Sequence, residues 1–204
     1  MHKYIDSFNS FIKKYNLESF KDVALFMGIL LFFHFLYRYF AHDFFAVDFI
    51  RESGISLART VFLESKWVLE LFNVNVTSFD VLDIDGGTRS NVFYYAANNG
   101  YTSVGLGCSG LKQLYQWTVL MLLYPGSWKN KLWYLPMGLI VVHLTNVFRI
   151  LLMVFVTMNL VDHWHFIHDY IARPFFYVVM FAMWVYWNEH YYHKKGGKKE
   201  KANA

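Results

Sequence analysis

A single cysteine, Cys108, stands among 204 residues, so no disulfide framework can hold this fold. Charge is also scarce. Lysine, arginine, aspartate and glutamate make up 17% of the chain, against roughly 25% in an ordinary soluble domain. Low charge beside 56% hydrophobic residues excludes intrinsic disorder, whose signature is the reverse. There is no internal repeat, and no low-complexity tract beyond a lysine-rich end. No small-residue cleavage site follows the first apolar run, so that run does not read as a removable signal peptide. What the chain has in excess is apolar side chain: 21% of it is aromatic and mean hydropathy is +0.24. That is too much for a water-soluble core of this length, and it predicts a membrane protein.

A spanning helix needs about 20 mostly apolar residues. Val23 to Phe40, Leu132 to Thr157 and Ile171 to Trp187 meet the pattern. Pro174 falls in the first turn of the last one, where its missing N–H costs nothing. Leu111 to Tyr124 is a shorter candidate whose Lys112 and Gln113 predict a first turn against protein. Ile55 to Phe72 is helical in pattern but carries Arg59, Glu64, Lys66 and Glu70. It reads as an amphipathic helix on or beside the membrane, with a fifth span as the rival reading. The fold class expected is therefore an all-α polytopic membrane bundle of about four spans, with interfacial helices and a small extracytoplasmic β element.

Basic residues orient the bundle. Residues 1–22 hold four lysines, the link from Pro125 to Lys131 holds Lys129 and Lys131, and Lys194, Lys195, Lys198, Lys199 and Lys201 follow the last span. Residues 41–107 hold eight acidic and four basic side chains. Four spans put every basic segment on one side, with both termini cytoplasmic. The net charge of +4 then serves orientation near anionic headgroups and is no sign of nucleic-acid binding. Tyr4, Ile5, Phe8, Phe11, Ile12 and Tyr15 fall at helical spacing, which predicts an interfacial amphipathic helix over 1–22. A membrane domain over 23–187, with an outer segment 41–107, and a basic tail over 188–204 complete the organisation.

Within the outer segment, Phe79 to Ile84, Val92 to Tyr95 and Tyr101 to Leu106 are β-prone. Asp85-Gly86-Gly87 and Asn98-Asn99-Gly100 are turn signals between them. The β element is expected to end at Gly107-Cys108.

Cys108 lies in Gly105-Leu106-Gly107-Cys108-Ser109-Gly110, just before the short helix. A helix amino terminus favours a thiolate, and glycines let a substrate backbone approach. A nucleophile and a buried small hydrophobe are both open. Arg149, deep in the longest apolar run, shares a helix face with His143 and Asn146. An intramembrane arginine marks a functional site or else snorkels to headgroups or pairs with an acid. Asp162 to Asp169 contains His163, His165 and His168. Their spacing does not match a helical zinc pair. An interfacial loop, a metal site, and a general acid/base held by Asp169 or Asp162 all remain readings of this cluster. Topology brings Cys108, Arg149 and His168 to the same outer boundary. A thiol, a cation and an imidazole at one level are the parts for acyl transfer through cysteine.

The pattern resembles the exosortase/archaeosortase family of membrane-embedded transpeptidase-like proteins over roughly residues 90–187. The matching positions are Cys108-Ser109-Gly110, Asn146-Val147-Phe148-Arg149-Ile150 and His168-Asp169. The family's last motif often ends in a glycine, where Ala172 stands here, so the choice among His163, His165 and His168 stays open. The resemblance implies that Cys108, Arg149 and His168 are catalytic, with Ser109, Gly110, Asn146 and Asp169 supporting. It implies neither metal nor other cofactor. It implies exported protein substrates bearing a carboxy-terminal sorting signal: a short motif, a transmembrane helix and a basic end. It further implies a thioacyl intermediate resolved by water or an amine, in the plasma (inner) membrane. The alternatives are a non-catalytic membrane assembly or anchoring protein and a histidine-metal membrane enzyme.

Overall fold

In the computed structural model, which describes residues 18–46, 48–84 and 86–193, most of the chain is helical. The expected interfacial helix up to residue 17, the basic tail from 194 and turn residue Asp85 lie outside the described residues. Helix α1 (Glu18–Ala46) leads into α2 (Asp48–Leu71). A sheet follows, made of β1 (Thr77–Ile84), β2 (Gly87–Tyr95) and β3 (Gly100–Ser103). After a 3-10 turn at Leu106–Cys108 come α3 (Leu111–Leu123) and α4 (Trp128–Asn159). Short turns at Val161–His163 and Trp164–Phe166 enter a π-helical segment, Ile167–Ala172. That segment runs into α5 (Arg173–Trp187) and a second π-helical segment, Asn188–His193.

Among the described residues, two helices are long and apolar enough to cross a membrane, Phe20–Tyr39 within α1 and Trp128–Asn159. The four spans expected from hydropathy therefore stand only in part. Helix α3 has 13 residues, which rise about 20 Å, short of a hydrocarbon core of about 30 Å. Helix α5 has 15 residues and gains length only through the π-helical turns at its ends. Helix α2 is amphipathic, as its charges predict, but starts earlier than Ile55. Its buried side, Gly54, Ala58, Val61, Phe62, Ser65 and Leu69, forms one stripe.

Helix α4 is the common wall of two apolar clusters. Near its start, Tyr134 and Val142 pack with Phe26 and Leu30 of α1, Trp117 and Leu120 of α3, and Phe176 and Met180 of α5. Farther along, Val147, Ile150 and Val154 pack with Val61 and Phe62 of α2 and with Phe93 and Tyr95 of β2. The Phe62 and Phe93 rings lie 4.7 Å apart.

The sheet is an antiparallel meander in the order β1-β2-β3. Register runs from Thr77 opposite Tyr94 to Ile84 opposite Gly87, and from Val92 opposite Ser103 to Tyr95 opposite Gly100. The third strand stops at Ser103, before the expected Leu106, because the chain turns into the Leu106–Cys108 loop. Side chains latch the sheet to the end of α4. Tyr95 Oη donates to Thr102 Oγ1 (2.7 Å), Thr102 Oγ1 to Thr157 Oγ1 (3.2 Å), and Asn98 Nδ2 to the Thr157 carbonyl (2.8 Å).

At the other end of the bundle, Tyr134 Oη donates to the Met183 carbonyl (2.6 Å), and Tyr124 Oη to Asn188 Oδ1 (3.0 Å). Asn188 Nδ2 donates to Asp22 Oδ2 (3.2 Å). Lys131 Nζ caps α3 by donating to the Leu122 (3.2 Å) and Tyr124 (2.7 Å) carbonyls, which have no helical partner. The α3–α4 contact depends on Gly138, since a Cβ there would fall within the Trp117 indole. Gly138→Val is expected to cost about 1–3 kcal/mol, the usual range for overpacking. Thermal unfolding in detergent measures this, and an unchanged midpoint would remove Gly138 from the account of α3 packing.

Candidate active site

The loop carrying Cys108 is closed by its own backbone and by Ser109. The Cys108 N–H donates to the Gly105 carbonyl (2.9 Å). Ser109 Oγ donates to the Leu106 carbonyl (2.8 Å) and accepts from the Leu111 N–H (3.2 Å). Gly54 on α2 has no side chain, which makes room for Leu106 of this turn. Cys108 ends a separate 3-10 turn and does not belong to the first turn of α3, whose cap is Gly110.

Helix α4 presents His143, Asn146 and Arg149 on one face, and each meets a different segment. His143 Nε2 donates to Glu64 Oε2 of α2 at 2.7 Å. Asn146 is 1% exposed and its Nδ2 donates to the Cys108 carbonyl at 2.9 Å. Arg149 is 7% exposed and lines the same cavity as Cys108. Its guanidinium carbon lies 5.8 Å from the centre of the Phe176 ring. It faces the protein interior and does not snorkel.

Gly110 has φ +79°, a left-handed conformation that side chains disfavour. A Cβ on it would also lie 2.8 Å from Asn146 Nδ2. The residue is thus required both by the turn and by the close passage of Asn146.

His168 comes from the π-helical segment. Its Nδ1 is 2.8 Å from Asp169 Oδ1, which also meets Arg173 Nη1 at 3.0 Å. The hydrogen bond from His168, and then the charge of Arg173, hold the Asp169 carboxyl below the usual carboxylate range. The His168 ring stacks on Trp164, with centroids 4.6 Å apart and planes 9° apart. With Nδ1 engaged by Asp169, Nε2 is the free nitrogen of the ring.

One cavity of about 270 Å³ is lined by Cys108, Arg149 and His168. Its remaining wall is Tyr101, Thr102 and Ser103 of β3, Ile150 and Met153 of α4, and Trp164. His163 and His165 are exposed and do not line it. Asp169, not Asp162, is the partner of His168. Among the described residues no group of three or more His, Cys, Asp or Glu is placed to hold a metal. The β3 wall, the Trp164 stack and the Glu64–His143 pair are additions to the site read from sequence. Only Trp164 had a local signal, four residues before His168 on a helical segment.

The sequence model of one protein family, transmembrane exosortase (Exosortase_EpsH), matches residues 23–185. No curated protein and no solved structure matches the chain.

Gly110→Ala is expected to cost about 1–2 kcal/mol from the left-handed backbone alone, and to push Asn146 off the Cys108 carbonyl. The rate of Cys108 alkylation in detergent should change together with the melting temperature. A variant unchanged in both would show that the Asn146 contact does not depend on Gly110.

Proposed function

The chain belongs to the transmembrane exosortase family, and from that membership we propose that it is a membrane-embedded cysteine peptidase/transpeptidase that cleaves carboxy-terminal sorting signals of exported proteins. The observation that carries this reading is the convergence of Cys108, Arg149 and His168 on one cavity. These residues come from three separated segments of the chain, so local sequence proximity does not account for their meeting.

Chemistry follows from the contacts. His168 takes the Cys108 proton on Nε2 while Asp169 holds Nδ1. The sulfur adds to the scissile carbonyl carbon, and a C–S bond forms as the carbonyl oxygen becomes an oxyanion. Arg149, which lines the cavity beside Cys108, supplies positive charge and donors where that charge develops. The C–N bond then breaks, and His168 gives its proton to the departing amine. The thioester left on Cys108 is resolved by water or by an amine, whose proton returns to His168 as the thiolate leaves. Asn146, Ser109 and Gly110 act by positioning the Cys108 loop.

The substrate class is an exported protein ending in a short motif, a transmembrane helix and a basic cytoplasmic end. The proposed location is the plasma (inner) membrane with both termini cytoplasmic and Cys108 at the outer face. The proposed topology has four crossings, by α1, α3, α4 and α5, with α3 shorter by itself than the hydrocarbon core. Asp22, Tyr124, Lys131 and Asn188 are tied to one another or to adjacent helix ends at one face, and the cavity opens at the other.

Cys108→Ala is expected to abolish cleavage, and Arg149→Lys to lower it strongly while the protein still accumulates, because lysine lacks the planar donor fork. His168→Ala should slow cleavage by about 10²- to 10⁴-fold. The measurement is cleavage rate, with mass spectrometry of a trapped thioester adduct. Cleavage that survives Cys108→Ala would leave the anchoring alternative standing. A membrane-impermeant thiol reagent should label Cys108 in intact cells. Labelling only after permeabilisation would overturn both the orientation and an outward-facing site.

A further inference from the structure

We infer that the free edge of β3 is the docking strand for the substrate, which pairs with it as a fourth, extended strand and so presents its scissile bond to Cys108. The inference rests on the proposed processing activity and adds the mode of recognition.

The first observation is that three consecutive residues, Tyr101, Thr102 and Ser103, line the cavity that holds Cys108. Successive side chains of a strand point to opposite faces. A ligand lying on one face of the sheet would meet Tyr101 and Ser103 but not Thr102. All three together can border a space only along the strand's edge. Thr102 agrees with this, because its side chain turns away to Thr157 of α4.

The second observation is the hydrogen-bond register. Strand β3 is the last in the sheet order, paired with β2 alone. The Val104 N–H donates to the Asn91 carbonyl at 2.9 Å, and this pair continues the β2–β3 register. In an antiparallel pair, hydrogen-bonded and non-hydrogen-bonded positions alternate. Thr102 therefore turns its N–H and C=O groups toward Phe93. Tyr101 and Ser103 turn theirs to the outer edge. Among the described residues, neither makes a main-chain bond outside the sheet.

An edge with unpaired main-chain groups is a template for another strand, and at a membrane boundary such groups cost free energy until they are paired. The occupant indicated is an extended peptide, since only a main chain in β conformation matches two donors and two acceptors at this spacing. Its place beside the nucleophile makes it the segment that precedes the substrate's transmembrane helix. Either direction of the added strand uses the same four groups. The edge supplies affinity without reading side chains. Selection among signals falls to what the alternate side chains meet in the cavity wall, which includes Trp164 and Ile150 and Met153 of α4.

The test exploits the single cysteine. A chain with Cys108→Ala and Ser103→Cys carries one thiol, at the edge. The probe is a reporter made of an exported domain followed by the sorting signal of a protein whose processing in the native cells requires this chain. Single cysteines are scanned through the residues preceding its transmembrane helix, and membranes are oxidised. Disulfides at every second reporter position are expected; none, or a helical period, would overturn the inference. In a chain that keeps Cys108, Ser103→Pro removes the outward N–H, a position where an edge strand tolerates proline. Reporter cleavage should fall about tenfold, the scale of one lost main-chain hydrogen bond, and an unchanged rate counts against the edge. If Ser103→Pro fails to accumulate, the disulfide pattern decides. Cleavage that survives Cys108→Ala sinks the nucleophile assignment but not an alternating pattern, and loss of alternation with Cys108-dependent cleavage sinks the edge alone.

Discussion

The hydrogen bond from Asn146 Nδ2 to the Cys108 carbonyl, 2.9 Å long, sets the position of everything around it. It ties a loop that leaves a sheet to a helix that crosses the bundle, and it is nearly inaccessible to solvent. A typical hydrogen bond is worth about 1 kcal/mol net, but leaving a buried partner unmatched costs about 1–3 kcal/mol. The loop is therefore held in one register against α4. Arg149 lies three residues farther along the same helix, about 4.5 Å at 1.5 Å per residue. Once Asn146 has fixed the Cys108 backbone, Cys108 and Arg149 line one cavity. Gly110 and Ser109 make this possible from the loop side, one by having no Cβ in the path of Asn146 and the other by closing the turn.

Three polar residues on an apolar helix are costly when buried against lipid, and each here faces a different part of the chain. His143 holds Glu64 of α2, Asn146 holds the Cys108 loop, and Arg149 faces the cavity with Phe176 of α5 against it. The stripe works as an assembly seam. It explains why α2 stays with the bundle despite the exposed charges Arg51, Glu52, Arg59 and Glu70. The Glu64–His143 contact adds a polar tie to the Val61 and Phe62 packing on the same helix. The same seam leaves two atoms without a partner in the described chain, Asn146 Oδ1 and Arg149 Nε.

Much of this was legible in the sequence because the signals are local. Apolar runs gave the helices, turn residues around Gly86 and Asn99 gave the hairpins, and an arginine inside a greasy run announced itself. The convergence of Cys108, Arg149 and His168 was reachable because membrane crossings alternate, so a few reliable helices fix which ends share a level. What was not legible depends on pairing across distance. Glu64 counted in sequence as a penalty in an amphipathic helix, and its partner His143 is 79 residues away. The third strand was drawn to Leu106, since β propensity cannot tell where Val104 stops pairing and the Cys108 loop begins. The short reach of α3 and the π-helical ends of α5 were hidden because hydropathy counts apolar residues and not the helical rise they produce.

The two ends of the bundle are built differently, and the difference bears on function. At the end with Asp22, Tyr124, Lys131 and Asn188, polar groups are tied to helix ends and to one another among interlocked aromatic rings, such as Tyr134 against Trp187 at 5.1 Å. At the other end the sheet is latched to α4 through Thr102, Asn98 and Thr157, and the cavity lined by Cys108, Arg149 and His168 remains. A chain selected only for stability would fill that space, since protein interiors are close-packed. Donors fixed in a cavity before a ligand arrives need no reorganisation when charge develops there. The packed far end keeps α4 and α5 from relaxing into the space, so that Arg149 and His168 stay on its wall. The packing at one end and the open cavity at the other are in this sense a single device.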